Sequence, residues 1–160
     1  LNPVGAKRQL IGVYARPLVE TLARVLEELG AERALGVHGE DGLDEITTTA
    51  RSHAVLLSSG ALTTLTIAPE SLGIARVAPS ALAGGDALEN AQIARAVLGG
   101  EPGPKRDIVV LNAAAALLVA GVAANLGEGL EVARQSIDSG AAAGRLEHLT
   151  RVTAEYAGRG

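Results

Sequence analysis

Ala34-Leu35-Gly36-Val37-His38-Gly39-Glu40-Asp41-Gly42-Leu43-Asp44-Glu45 joins a short apolar run directly to four carboxylates within six residues. The run has the length and character of a buried strand. Like charges this close repel one another unless water, a cation or a helix N-terminus offsets them. In an open α/β sheet, ligands gather at the carboxyl ends of the strands, where this segment should lie. Two readings fit the spacing. One is a solvated acidic turn. The other is a hard-oxygen site for Mg²⁺, which keeps several waters and takes one or two carboxylates plus substrate phosphates.

The neighbouring segments extend the strand into a fold. Gln9–Tyr14 reads as an earlier apolar strand, and Pro17 suits the first turn of a helix, where its missing N–H costs nothing. Leu18, Leu22, Val25, Leu26 and Leu29 then form one apolar stripe, closed by Gly30. Strand, helix and the Arg33–His38 strand make a βαβ unit with parallel strands and a right-handed crossover. Ile46–Ala50 is rich in β-branched residues and is expected to be a strand. His53–Leu57 and Leu62–Ile67, separated by Ser58-Ser59-Gly60, read as an antiparallel hairpin.

From Asp86 onward the pattern turns helical. Asp86 and Glu89 have the spacing of an N-cap and its N3 carboxylate, ahead of a helix over Leu88–Leu98. A helix over Asp107–Asn125 and two more over Glu128–Ser139 and Ala143–Tyr156 follow. The expected architecture is α/β: one domain over 1–160, with a mixed, mostly parallel sheet, an antiparallel hairpin and flanking helices.

Composition narrows the chemistry. The 160 residues hold two Tyr, no Phe, no Trp and no Cys. Disulfides and thiolate metal sites are thereby excluded, and the scarcity of aromatics argues against stacking platforms for bases. A formal charge of -4 gives no general attraction to phosphate backbones, so no nucleic-acid partner is expected. Ile108–Ala124 is apolar apart from Asn112, but seven of its seventeen residues are Ala, which inserts weakly. A buried helix of a soluble protein is expected there, with no membrane partner, and the cytoplasm is the default compartment. His53 and His148 have no nucleophile turn near them, and neither a P-loop nor a G-x-G-x-x-G fingerprint occurs.

The octapeptide His38–Glu45 resembles the H-G-x-D-G-L-D-E signature of the anthranilate phosphoribosyltransferases. Leu1-Asn2-Pro3 is similar to the end of that family's G-P-L-x-N-P loop, and Gln9–Tyr14 to its Q-x-x-G-V-Y strand. Gly84-Gly85-Asp86 with Glu89-Asn90-Ala91 resembles its G-G…E-N-A helix start. Gly103-Pro104, Arg106-Asp107 and Leu111-Asn112-Ala113-Ala114-Ala115 resemble its late core helix. The family's G-T-G-G-D pyrophosphate loop and K-H-G-N-R segment have no match here. The resemblance therefore implies the C-terminal part of a longer phosphoribosyltransferase, with the C-terminal fold shared by nucleoside phosphorylases and phosphoribosyltransferases.

It also implies the activity: transfer of the phosphoribosyl group from phosphoribosyl pyrophosphate to anthranilate in tryptophan biosynthesis, with Mg²⁺ as cofactor. Asp44 and Glu45 match the acidic pair that holds Mg²⁺, and Asn2 and Pro3 match the loop that lines the anthranilate pocket. No side chain of this chain is assigned a catalytic acid–base role. The intact enzyme is expected to be a homodimer, and residues 1–160 alone are expected to show no turnover. The alternatives are a pyrimidine nucleoside phosphorylase-like enzyme and a non-catalytic module that packs on a partner. Outside the acidic pair, Asp41 before Gly42 reads as a turn residue. His38 reads as a structural donor, Asn112 as a buried hydrogen-bonding group, and Lys7 and Arg8 as solvated cations or phosphate contacts.

Overall fold

The apolar run Ala34–Val37 lies in the strand β2 (Arg33–Gly39), and all four of its residues are buried. β2 is buried on both faces, as its unbroken apolar sequence requires. A computed structural model describes residues 4–157. In it β2 pairs in parallel with β1 (Arg8–Gly12) on one side. On the other side it pairs antiparallel with β3 (Ser52–Ser58), which pairs antiparallel with β4 (Ala61–Ile67). The sheet order is β1-β2-β3-β4. The sheet is mixed and carries the expected hairpin, but only β1–β2 is parallel, so the expectation of a mostly parallel sheet is corrected. After the loop 40–51 the chain returns alongside β2 as β3, and a two-residue turn, which only antiparallel neighbours allow, then leads into β4. The β3–β4 turn is two residues long, with Ser59 at φ 53° and Gly60 at φ 73°. Positive φ at both positions is the type I′ geometry that matches strand twist.

Ile46–Ala50 is not a strand. Ile46, Thr47 and Thr48 are buried, yet no neighbouring strand offers them a ladder. Side chains meet several backbone groups of this stretch instead: the Thr47 N–H donates to Ser52 Oγ at 2.9 Å, and the Thr49 N–H to Thr47 Oγ1 at 2.9 Å, while the Thr48 carbonyl accepts from the Val77 N–H at 3.1 Å. β-Branched composition signalled burial here, and burial was reached without pairing.

Helix α1 (Pro17–Glu28) covers one face of the sheet. Val19, Ala23 and Leu26 are its fully buried residues, with Leu18 and Leu22 packed at their side. The stripe is therefore centred one residue later than the leucines suggest, and Leu29 is left 66% exposed. The other face carries α3 (Pro104–Ala120) and α4 (Leu126–Asp138). Leu35, Val37, Ile46, Ala54 and Ile67 meet Val110, Leu111, Ala114, Ala115, Leu130 and Ile137 there, forming the main core. Many small alanines let α3 lie close on the sheet.

Helix α2 (Ala87–Leu98) starts as expected, with Asp86 accepting from the Glu89 N–H at 2.9 Å. Helix α3 starts earlier and ends earlier than 107–125. Pro104 takes its first turn, and Gly121 closes it at φ 76°. Asn125 is the N-cap of α4, accepting from the Glu128 N–H at 2.9 Å, while Glu128 accepts from the Ala124 N–H at 2.8 Å. The apolar run thus spans a helix end and a capping box. Val109, Ala116 and Ala120 of α3 are exposed, so the helix is open along one side and not buried all round. Helix α5 (Ala141–Ala157) lies outermost, with no buried residue. No helix among the described residues is long and apolar enough to cross a membrane.

Candidate metal-holding site

β1 and β2 run in parallel and end at Gly12 and Gly39, so their carboxyl ends lie together. The acidic loop leaves β2 there and folds back over the end of β1. The contact is backbone on backbone: a Cβ placed on Gly12 would lie 1.6 Å from the Asp44 carbonyl oxygen. Only a residue with no side chain lets the loop settle there. Asp44 and Glu45 are exposed, at the rim of a depression of about 370 Å³ lined also by Leu10, Gly12, Val37, Val109 and Asn112. Neither carboxylate accepts a hydrogen bond or an ion pair from another described residue.

The rest of the loop is tightly held. Asp41 Oδ1 accepts from the Leu43 N–H at 3.2 Å, and Oδ2 accepts from Thr47 Oγ1 at 2.6 Å and from Thr49 Oγ1. Burial alone would push the Asp41 pKa up, but the hydrogen bonds from Thr47, Thr49 and Leu43 outweigh it and hold the carboxyl below its ordinary 3.8. Asp41 is thus occupied in fixing the turn, as its place before glycine suggests. Gly39 also ties the bend, its N–H donating to the Leu43 carbonyl at 2.8 Å.

Immediately after the pair, Ile46 anchors the loop twice. Its side chain is fully buried in the main core. Its backbone is held by Asn112 of α3: Oδ1 accepts from the Ile46 N–H at 3.0 Å, and Nδ2 donates to the Ile46 carbonyl at 2.9 Å. Nδ2 also donates to the Ile108 carbonyl at 3.0 Å. The single polar residue of the apolar run Ile108–Ala124 is satisfied, and its partner lies 66 residues away in sequence.

Among the remaining candidates, His38 Nδ1 is 2.9 Å from the Val13 carbonyl, the structural role expected for it. Lys7 donates to the Gly30 carbonyl at 3.0 Å and Arg8 to the Ala120 carbonyl. Both cations serve helix C-terminal ends, at the opposite end of β1 from Asp44. Neither is available to a phosphate at the acidic loop. Asn2 and Pro3 lie outside the described residues.

The donor set suits a hard cation only in part-protein coordination. No group of three or more His, Cys, Asp or Glu capable of holding a metal occurs among the described residues. Two adjacent, exposed carboxylates match Mg²⁺, which takes the rest of its octahedron from water and phosphate oxygens. The residues present fit that ion. Two features of the site were missed in the sequence: the close approach at Gly12 and the Asn112–Ile46 clamp. A glycine inside a strand pattern was a usable signal for the first.

Residues 1–143 match the family model for the a/b domain of the glycosyl transferase family. Anthranilate phosphoribosyltransferases of Azorhizobium caulinodans and Azospirillum brasilense are 52% and 56% identical over 152 residues, 95% of this chain and 44% and 43% of theirs. The chain therefore spans a little under half the length of these curated relatives. The crystal structure of anthranilate phosphoribosyltransferase from Thermus thermophilus superimposes with a TM-score of 0.84 at 38% identity, over 92% of this chain and 43% of that one. The Saccharomyces cerevisiae enzyme in complex with PRPP and Mg gives a TM-score of 0.78 at 28% identity, over 88% of this chain and 41% of that one.

Proposed function

The chain belongs to the glycosyl transferase family through its a/b domain, and from that premise we propose that it is the cation-holding α/β part of an anthranilate phosphoribosyltransferase. The observation that carries this reading is the acidic loop. Asp44 and Glu45 are held without partners among the described residues, on a turn fixed from three sides, at the carboxyl ends of the parallel strands.

In the reaction the anthranilate amine forms a bond to the anomeric carbon of phosphoribosyl pyrophosphate. The bond from that carbon to pyrophosphate breaks, and the amine gives up a proton. Charge builds on the departing diphosphate, so the protein's task is positioning and electrostatics. Mg²⁺, when bound, supplies the Lewis acid that neutralises this charge. Asp44 and Glu45 supply anionic oxygens to hold it at the mouth of the depression. Asp41, Thr47, Thr49 and Gly12 hold the loop backbone that carries these side chains, which limits the reorganisation needed as the bond breaks. Asn2 and Pro3 contribute to the anthranilate pocket in this reading, and the complete enzyme is a homodimer.

The test is the double substitution Asp44→Asn with Glu45→Gln in the complete enzyme, following loss of anthranilate fluorescence against Mg²⁺ concentration. Loss of outer-shell partners alone costs metal sites about 10-fold or more. Loss of the holding oxygens should therefore raise the Mg²⁺ requirement at least that far. An unchanged Mg²⁺ dependence refutes the role of the pair.

A further inference from the structure

We propose that Asn112 is a positioning residue for the cation site, setting the Asp44–Glu45 pair from the middle of α3. The proposal rests on the reading of that pair as cation-holding, and it adds a residue that touches neither the ion nor either substrate.

Asn112 has three hydrogen bonds, and two of them go to one residue, Ile46. Accepting from its N–H and donating to its carbonyl holds the two peptide units that flank Ile46, and so fixes the position and orientation of its backbone. Glu45 is joined to the Ile46 nitrogen, so the clamp sets the direction in which the Glu45 backbone leaves. The Gly12 contact sets the position of Asp44 in the same way, one residue earlier. The pair is thus gripped between a glycine on β1 and an amide on α3. A purely structural asparagine need only be satisfied. This one meets both backbone groups of Ile46, which have no strand ladder to join, and it lines the same depression as the carboxylates.

Both donors of Asn112 Nδ2 are used, and its Oδ1 already accepts from the Ile46 N–H. The contacts it makes therefore act on the ion through the loop. The expected consequence is a loss of cation affinity larger than the loss of fold stability accounts for.

The experiment measures Mn²⁺ binding to the complete enzyme by electron paramagnetic resonance, without turnover, in four variants. Asn112→Ala removes the clamp. Asn112→Ser is too short to span to Ile46 but keeps a hydroxyl for the Ile108 carbonyl, and it serves if alanine prevents folding. Ala116→Gly weakens α3 on its exposed side without touching the loop. Asp44→Asn with Glu45→Gln tests the underlying reading. Outer-shell changes of this kind lower metal affinity about 10–100-fold, the loss expected for both Asn112 variants. Thermal melting of each variant and the exchange rate of the Ile46 amide are recorded alongside. The expected pattern is weakened Mn²⁺ binding and faster Ile46 exchange at Asn112, with unchanged affinity in Ala116→Gly. Unchanged affinity in the folded Asn112 variants, or an equal loss in Ala116→Gly, overturns the positioning role. Unchanged affinity in Asp44→Asn with Glu45→Gln overturns the underlying reading instead, and with it the proposal.

Discussion

Replacing Gly12 by alanine adds one methyl group where the Asp44 backbone already sits. The new Cβ would lie 1.6 Å from the Asp44 oxygen and 2.6 Å from its carbonyl carbon, against 3.0 Å as the shortest separation real Cβ atoms show. Relieving the clash moves one backbone or the other by about 1.4 Å, and neither side yields freely. Gly12 is in the β1–β2 ladder, while the loop is pinned by Asp41, by the buried Ile46 side chain and by Asn112. Overpacking of this kind costs about 1–3 kcal/mol. At about 2–4 °C per kcal/mol for a chain of this size, Tm should fall by roughly 2–12 °C. The carboxylates move with the backbone, and a misplacement of about 1 Å can cost on the order of 100-fold in rate. Gly144→Ala is the control, since a Cβ there meets nothing within 4 Å and a helix gains from the change. The assay pairs thermal melting with Mg²⁺ titration of anthranilate consumption by the complete enzyme. An unchanged Tm together with an unchanged Mg²⁺ midpoint in Gly12→Ala would refute the idea that the loop rests on β1.

Two further substitutions test the frame around the site. Asn125→Ala removes the acceptor of the Glu128 N–H and should cost about 0.5–2 kcal/mol, read as a lower urea midpoint with faster exchange in the first turn of α4. The Asp41 carboxyl is held below 3.8, so the stability it contributes is present above that pH and is lost as pH falls through the folded value. Asp41→Asn should therefore be less stable than the parent at pH 7, and the gap should narrow below pH 3.8, as paired urea titrations at the two pH values would show.

Features set by neighbours in sequence were legible without the structure. The hairpin at Ser58–Gly60, the Asp86 cap, the Pro17 start of α1 and the turn at Asp41 each rest on residues a few positions apart. Tertiary contacts were not legible. Ile46–Ala50 had strand composition, but a strand needs a free edge, and the Thr and Ser hydroxyls reached its backbone first. Asn112 was readable as a buried group needing partners, yet nothing local pointed to Ile46. The run from Ile108 to Ala124 hid its own break, because Gly121 and the Asn125 cap interrupt the helix without interrupting the apolar character. The acidic pair itself was visible as charge, while the glycine beneath it acts by lacking a side chain.

The most direct test is a crystal structure of the complete enzyme with Mn²⁺ and phosphoribosyl pyrophosphate, reading the ion from its anomalous signal. The expected result is a peak at bonding distance, about 2.1 Å, from carboxylate oxygens of Asp44 and Glu45, with diphosphate oxygens completing the shell. An ion held elsewhere, with both side chains turned to bulk water, would contradict the assignment of this loop.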